Sequence, residues 1–293
     1  MKKFYGLFLS IISIIFIDYL LSKTELPVDS DGYLLGFEKF AKKAKDTKGE
    51  KRIILVGGSS LGWGVSSKTL TENLGVTTIN AGIHAGVGYI NFMRIIKKYI
   101  DKENDLLVFS PEYDTNFRVP LFARSKEFCE ITLYTINTYT FECIGYSLSR
   151  LFLVRSHLKL NNGNYRRDGF NDYGDYIYRQ KKGGEVNFAD ACKLINIKDL
   201  EDRYIPYLKN LQSKNYQLVY VPNFIPSSAC NKKVEAKKFH QIIARNFGVK
   251  NIDNVQLFFK DKYFYDTNYH LSEEGIKNKT KIFEENLKQY LLN

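Results

Sequence analysis

The 293-residue chain has no C-x-x-C pair, no A-x-A cleavage site behind its first apolar stretch, no lipobox cysteine, and no repeats or low-complexity tracts. Its four cysteines, Cys129, Cys143, Cys192 and Cys230, stand too far apart for a zinc ribbon, so neither a metal nor a cofactor is expected. An exported domain could pair Cys129 with Cys143 or Cys192 with Cys230, or keep all four as buried thiols, and spacing does not choose between these. No nucleic-acid-binding module or ordered basic helix accompanies the formal net charge of +11; the lysines are scattered among asparagine, isoleucine and tyrosine. This argues against nucleic acid as a partner. It leaves a solvated basic face suited to an anionic glycan or an acidic membrane surface. Apolar residues are not scarce. At 44% hydrophobic and 26% charged the chain lies in the folded globular range, and its length suffices for one main domain with a sizeable core.

The sequence begins "MKKFYGLFLSIISIIFIDYLLSK". Lys2 and Lys3 precede an apolar stretch from Phe4 to Leu21, broken only by small polar residues and Asp18, just long enough to span a bilayer. With no cleavage site following, residues 1–22 read as an uncleaved membrane anchor. The positive-inside rule then puts the N-terminus in the cytoplasm and the body outside, extracytoplasmic or periplasmic. The competing reading, an amphipathic or buried first helix of a cytosolic protein, has the unbroken apolarity of Leu7 to Ile17 against it. Residues 23–51 read as a polar, lysine-rich connector holding a short helix near Phe37 to Ala44.

From residue 52 onward the pattern alternates. A strand at Arg52–Val56 precedes a glycine-serine turn and a helix at Ser66–Leu74; a short strand at Thr77–Ile79 precedes the turn "NAGIHAGVGY" and a helix at Tyr89–Ile100; a third strand covers Leu106–Phe109. Repeated β-turn-α units predict an α/β fold, a three-layer α/β/α arrangement around a central parallel sheet. Residues 115–190, dense in tyrosine, phenylalanine and asparagine, lose the alternation and read as an insertion into the domain of residues 52–293. Beyond them the spacing predicts a helix over Ile197–Ser213, a strand at Gln217–Val221, a basic helix over Lys232–Asn246, a strand near Asn254–Phe259, and a final helix capped by Ser272.

In a parallel α/β sheet, ligands sit beyond the carboxyl ends of the strands. The segments "GGSSLGWG", "NAGIHAG" and "SPEYD" fall there, and "DTNYHLSEEG" precedes the last helix. A nucleophilic serine needs a base, the base an orienting group, and the developing oxyanion fixed N–H donors. Ser60, His270 and Asp266 can fill the first three roles, and the backbone amides of Gly82 and Ser60 the fourth. The blander alternatives are that Ser59 and Ser60 only cap a helix, that His84 and His270 are structural, and that Trp63 packs over its turn.

At these residues the chain resembles the SGNH/GDSL hydrolase superfamily. Gly58 to Gly64 fits the first block, G-D-S-x-x-x-G, with Ser59 in place of the aspartate, which puts the nucleophile at Ser60. Asn80-Ala81-Gly82 fits the N-x-G turn that supplies an oxyanion-hole amide, and Asp266 and His270 fit the C-terminal block, spaced D-x-x-x-H rather than D-x-x-H. Where the family carries an asparagine donor, this chain has Glu112, and an ionised carboxylate cannot donate. The resemblance covers residues 52–113 and 197–290. It implies a flavodoxin-like SGNH fold and, by similarity to membrane-anchored O-acetyltransferase- and esterase-type members, acyl transfer to or hydrolysis from a cell-envelope polysaccharide through an acyl-Ser60 intermediate. It also implies a multi-pass membrane acyltransferase as partner. A small-ester or lipid esterase, and a non-catalytic glycan-binding or assembly protein on the same fold, are the alternatives.

Overall fold

The computed structural model describes residues 33–82, 87, 89–112, 169–177, 197–228, 233–247 and 256–291, with isolated positions 10, 12, 13 and 16. The four cysteines, His84, most of the 115–190 segment and nearly all of the apolar stretch at 4–21 lie outside these residues. Among the described residues no helix is long and apolar enough to cross a membrane.

Chain order is helix α1 (Tyr33–Asp46), strand β1 (Arg52–Gly57), the short helix α2 (Ser59–Gly62), α3 (Ser67–Leu74), β2 (Thr77–Asn80), α4 (Tyr89–Ile96) and β3 (Asp105–Ser110). After the segment at 169–177 come α5 (Ile205–Gln212), β4 (Gln217–Tyr220), β5 (Ile225–Pro226), α6 (Lys233–Asn246), β6 (Phe258–Phe259) and α7 (Glu273–Leu291). The protein is α/β. Its central sheet has the order β2-β1-β3-β4, with every pairing parallel.

The sheet is covered on both faces, because successive strand residues point to opposite sides. Ile54, Val56, Ile79, Leu107 and Phe109 pack with residues of α1, α4, α5 and α6. Ile53, Leu55, Val108 and Val219 pack instead with Leu70 of α3 and with Phe283 and Leu287 of α7. Burial on both sides explains why β1 reads as the continuous apolar run "IILV" rather than as alternation.

Two expectations are corrected here. Residues 23–51 are not simply a polar connector: α1 is longer than the predicted 37–44, and Tyr33, Phe37, Phe40, Ala41 and Ala44 are buried in the main core. Each buried phenylalanine is worth roughly 1.5–3 kcal/mol, so α1 belongs to the domain. The helix predicted over 197–213 is interrupted. It opens at Ile197–Asp199, widens into a π-turn at Leu200–Tyr204 and resumes as α5, whose second residue is Pro206. A proline lacks the N–H and crowds the carbonyl four residues back, and the wider turn relieves both.

At the opposite end of the strands from the candidate site, Arg52 and Asp105 form a fully buried bidentate pair, Nε to Oδ1 and Nη2 to Oδ2, both 2.7 Å. Arg52 Nη1 also donates to the Ala44 carbonyl, and Nη2 to that of Tyr99 at 3.1 Å. One guanidinium thus ties α1, β1 and β3 together. Asp105→Ala leaves that cation buried without its counter-charge, and we expect a loss of about 3–5 kcal/mol, read from the denaturant midpoint.

Candidate active site

The chain leaves β1 to form β2 on one side and then crosses back to form β3 on the other. Loops diverge at such a reversal and leave a crevice beyond the strand ends. Into it project Ser59, two residues past the end of β1, and Glu112, two past the end of β3.

The structure brings His270 and Asp266 together, and brings Ser59 to them. His270 Nδ1 lies 2.8 Å from Asp266 Oδ1, and Nε2 lies 3.1 Å from Ser59 Oγ. Asp266 reaches the imidazole across the longer spacing because the loop folds back. The Thr267 hydroxyl accepts from the N–H groups of Tyr269 and His270 at 3.2 and 3.0 Å, and Tyr265 N–H donates to the His270 carbonyl at 2.8 Å. The bridge between Phe264 and Leu271 closes the loop base.

Ser60, the predicted nucleophile, does not meet the imidazole; the neighbouring Ser59 does. Adjacent residues of a helical turn point about 100° apart, so only one hydroxyl can face the rim. Ser60 turns inward: it is fully buried, and its Oγ has no hydrogen-bond partner. Ser59 is partly exposed and meets the imidazole. The SGNH/GDSL-like order of letters singles out Ser60; the helical phase turns the hydroxyl of Ser59, one residue earlier, to the imidazole.

The expected donors are also rearranged. Ser60 N–H, in the first turn of α2 and so without a helical acceptor, donates to Glu112 Oε1 at 2.7 Å. The same oxygen lies 3.4 Å from Ser59 Oγ. Gly82 N–H donates to Asn80 Oδ1 at 2.9 Å. Asn80 is therefore a structural residue: its Nδ2 donates to the Leu61 carbonyl and to Asp175 Oδ1, both at 3.0 Å. Both amides expected to form an oxyanion hole hold an internal acceptor, Glu112 for Ser60 and Asn80 for Gly82.

Two glycines permit this closeness. A Cβ on Gly58 would stand 2.5–2.8 Å from all three atoms of the Glu112 carboxylate, and one on Gly62 would stand 2.2 Å from the Gly82 carbonyl oxygen. At Gly62 the obstacle is backbone, which leaves no room for a side chain; at Gly58 any side chain would displace the Glu112 carboxylate from its place against the turn.

Sequence reasoning missed two groups. Lys279 of α7 is fully buried beneath the nucleophile turn, donating to the Ser60 carbonyl at 3.0 Å and to Asn223 Oδ1 at 2.5 Å. Its place in the stripe Gly275, Lys279, Thr280, Phe283, Leu287 was the available signal. Burial pushes its ammonium down to about 7, against the opposing pull of the Glu112 carboxylate. The second is the segment 169–177. Asp175 Oδ2 there accepts from Ser67 N–H at 2.9 Å, and Tyr176 N–H donates to the Gly62 carbonyl at 2.8 Å. Burial raises the Asp175 carboxyl, opposed by hydrogen bonds from Asn80, Ser67 and Asn171.

No family model, curated protein or solved structure matches this chain. The site therefore stands on its own geometry. Among the described residues, no group of three histidine, cysteine or acidic side chains could hold a metal ion.

The Lys279 environment has a thermodynamic consequence. The folded protein releases this proton at about 7, whereas the unfolded chain holds it to the ordinary 10.5. Between these values the unfolded state binds more protons, so stability rises with pH, by at most about 1.4 kcal/mol per pH unit for one group. We expect the denaturant midpoint to climb between pH about 7 and about 9, and Lys279→Met to flatten that climb.

Proposed function

We propose that the protein is a serine-dependent acyl-transfer enzyme, with an acetyl group on a cell-envelope polysaccharide as the preferred cargo. One observation carries the reading: the continuous line from Asp266 through His270 to Ser59, 2.8 and 3.1 Å at its two joints. His270 Nδ1–H donates to Asp266, which leaves Nε2 free to accept the Ser59 proton. As Ser59 Oγ bonds to the ester carbonyl carbon, its proton passes to Nε2; as the carbon–oxygen bond of the leaving alcohol breaks, the imidazolium returns the proton to that oxygen. A sugar hydroxyl or water then gives its proton to Nε2 as it attacks acyl-Ser59, and the imidazolium returns that proton to Ser59 Oγ as its bond to the acyl carbon breaks. Glu112 yields the Ser60 N–H to the carbonyl oxygen when substrate enters. That amide is the one next to the nucleophile, the position a developing oxyanion requires.

The resemblance to the SGNH/GDSL superfamily, with its flavodoxin-like fold, supports this reading, as do the glycine-rich turns at the strand ends. The anchor proposed for residues 1–22 fits transfer beside a membrane, with the domain outside the cytoplasm and a multi-pass acyltransferase as partner. The direction of α1 agrees with it. Ala44, near its end, meets Arg52 at the start of β1, while Gly36, near its beginning, lies against Phe170, whose ring meets Tyr176 beside Trp63. The start of α1 thus lies on the side of the domain that carries Trp63 and His270. Tethering there would raise the local concentration of a membrane-borne donor.

A second reading, a glycan-binding or assembly protein without the chemistry, is favoured by the occupied Ser60 and Gly82 amides. Burst kinetics with a chromogenic acetate ester separate the two. We expect Ser59→Ala to abolish the burst and Ser60→Ala to keep it within about tenfold of wild type. Absence of a burst in the wild-type protein, or its survival in Ser59→Ala, overturns the acyl-enzyme reading.

A further inference from the structure

The two hydrogen bonds that hold His270 both lie in the plane of its ring, one at Nδ1 and one at Nε2. Together they define an axis and leave the imidazole free to rock about it. One of them is also open to water, since the Asp266 side chain is 45% exposed. Something else must fix the tilt of the ring.

Trp63 lies face to face with His270, ring centroids 4.3 Å apart and planes within 9°. The indole is buried and is held in turn by Tyr176, 4.1 Å away, with Tyr265 stacked at 6.3 Å. Tyr176 cannot drift. Its ring meets Phe170 edge-on at 5.0 Å, its N–H is bound to the Gly62 carbonyl, and Asp175 beside it is bonded to Ser67 and Asn80. A rigid series therefore runs from the 169–177 segment through Tyr176 and Trp63 to the imidazole.

We propose that Trp63 is a positioning residue for His270. Its indole face fixes the plane of the imidazole so that Nε2 points at Ser59, and it stabilises the imidazolium formed when Ser59 gives up its proton, because an aromatic face attracts a cation within about 6 Å. The 169–177 segment, part of the region that reads as an insertion, takes part in catalysis by bracing that indole. This proposal rests on the acyl-transfer reading for its catalytic meaning but not for its test.

Trp63 is the only tryptophan in the chain, so indole emission of the full-length protein, excited at wavelengths too long for its tyrosines, reports on this stack alone. A protonated imidazole in face contact quenches indole emission by accepting an electron from the excited ring. We expect emission of the wild-type protein to fall in a single step as the pH is lowered and the imidazole gains its second proton. The step should vanish in His270→Gln and persist in Ser59→Ala. The His270→Gln control subtracts contributions from Asp266, Glu112, Tyr176 and Tyr265, the other titratable groups facing these rings. In the ester assay, Trp63→Leu should lower kcat about tenfold with KM little changed, and Trp63→Phe should restore most of the loss.

A step that survives in His270→Gln, or no step in the wild type, overturns the stack whatever the enzyme does. Equal kcat in Trp63→Leu and the wild type overturns the positioning role. If the step behaves as expected but no ester is turned over, the stack stands and the acyl-transfer reading fails.

Discussion

Parallel pairing of β1 with β3 is the constraint on which the site depends. Six residues run in register, from Arg52 opposite Asp105 to Gly57 opposite Ser110. Because the strands end level, the two chains emerge together and Ser59 and Glu112 meet beyond them. A shift by one residue would turn the side chains of one strand to the other face. It would also separate the Arg52–Asp105 pair, which closes the far end of the same ladder with both charges out of water. The buried ion pair at one edge and the hydroxyl-carboxylate contact at the other are thus two ends of one register.

Around the nucleophile turn, charge is arranged in depth. The Glu112 carboxylate lies on the amide of Ser60, and the Lys279 ammonium lies on the carbonyl of the same residue. The Ser60 side chain is buried, and its two backbone groups hold the turn between Glu112 and Lys279. Ser59 is held where its hydroxyl reaches Nε2. The imidazole itself is fixed by an edge contact to Asp266 and a face contact to Trp63. Elements from opposite ends of the chain supply these pieces, so the site exists only once α7 and the 264–271 loop have packed onto β1 and β3.

Much of the architecture was legible because hydrophobic period and turn chemistry act locally. The strand ending in "GGSS", the helix capped by Ser66 and ended by Gly75, and the 3.6-residue stripe ahead of β4 all follow from short-range preferences. The misreadings share a cause. A lysine-rich stretch was taken for a tether because half of α1 faces water, and only packing shows that Phe37 and Phe40 face inward. A continuous helix was expected across Pro206 because its apolar spacing survives the π-turn.

The candidate site divides in the same way. From the order of residues came a candidate serine turn after the first strand and an Asp and His before the last helix, and from the resemblance an N-x-G turn after the second strand and Glu112 after the third where an asparagine was expected. Those follow from local backbone needs and from the chemistry each group can perform. Which of two neighbouring serines faces the imidazole, which acceptor takes the Ser60 amide, and which ring lies on His270 were decided only by the tertiary structure. These depend on helical phase and on contacts between residues far apart in the chain, and no pattern along the chain encodes the angle at which two packed elements meet.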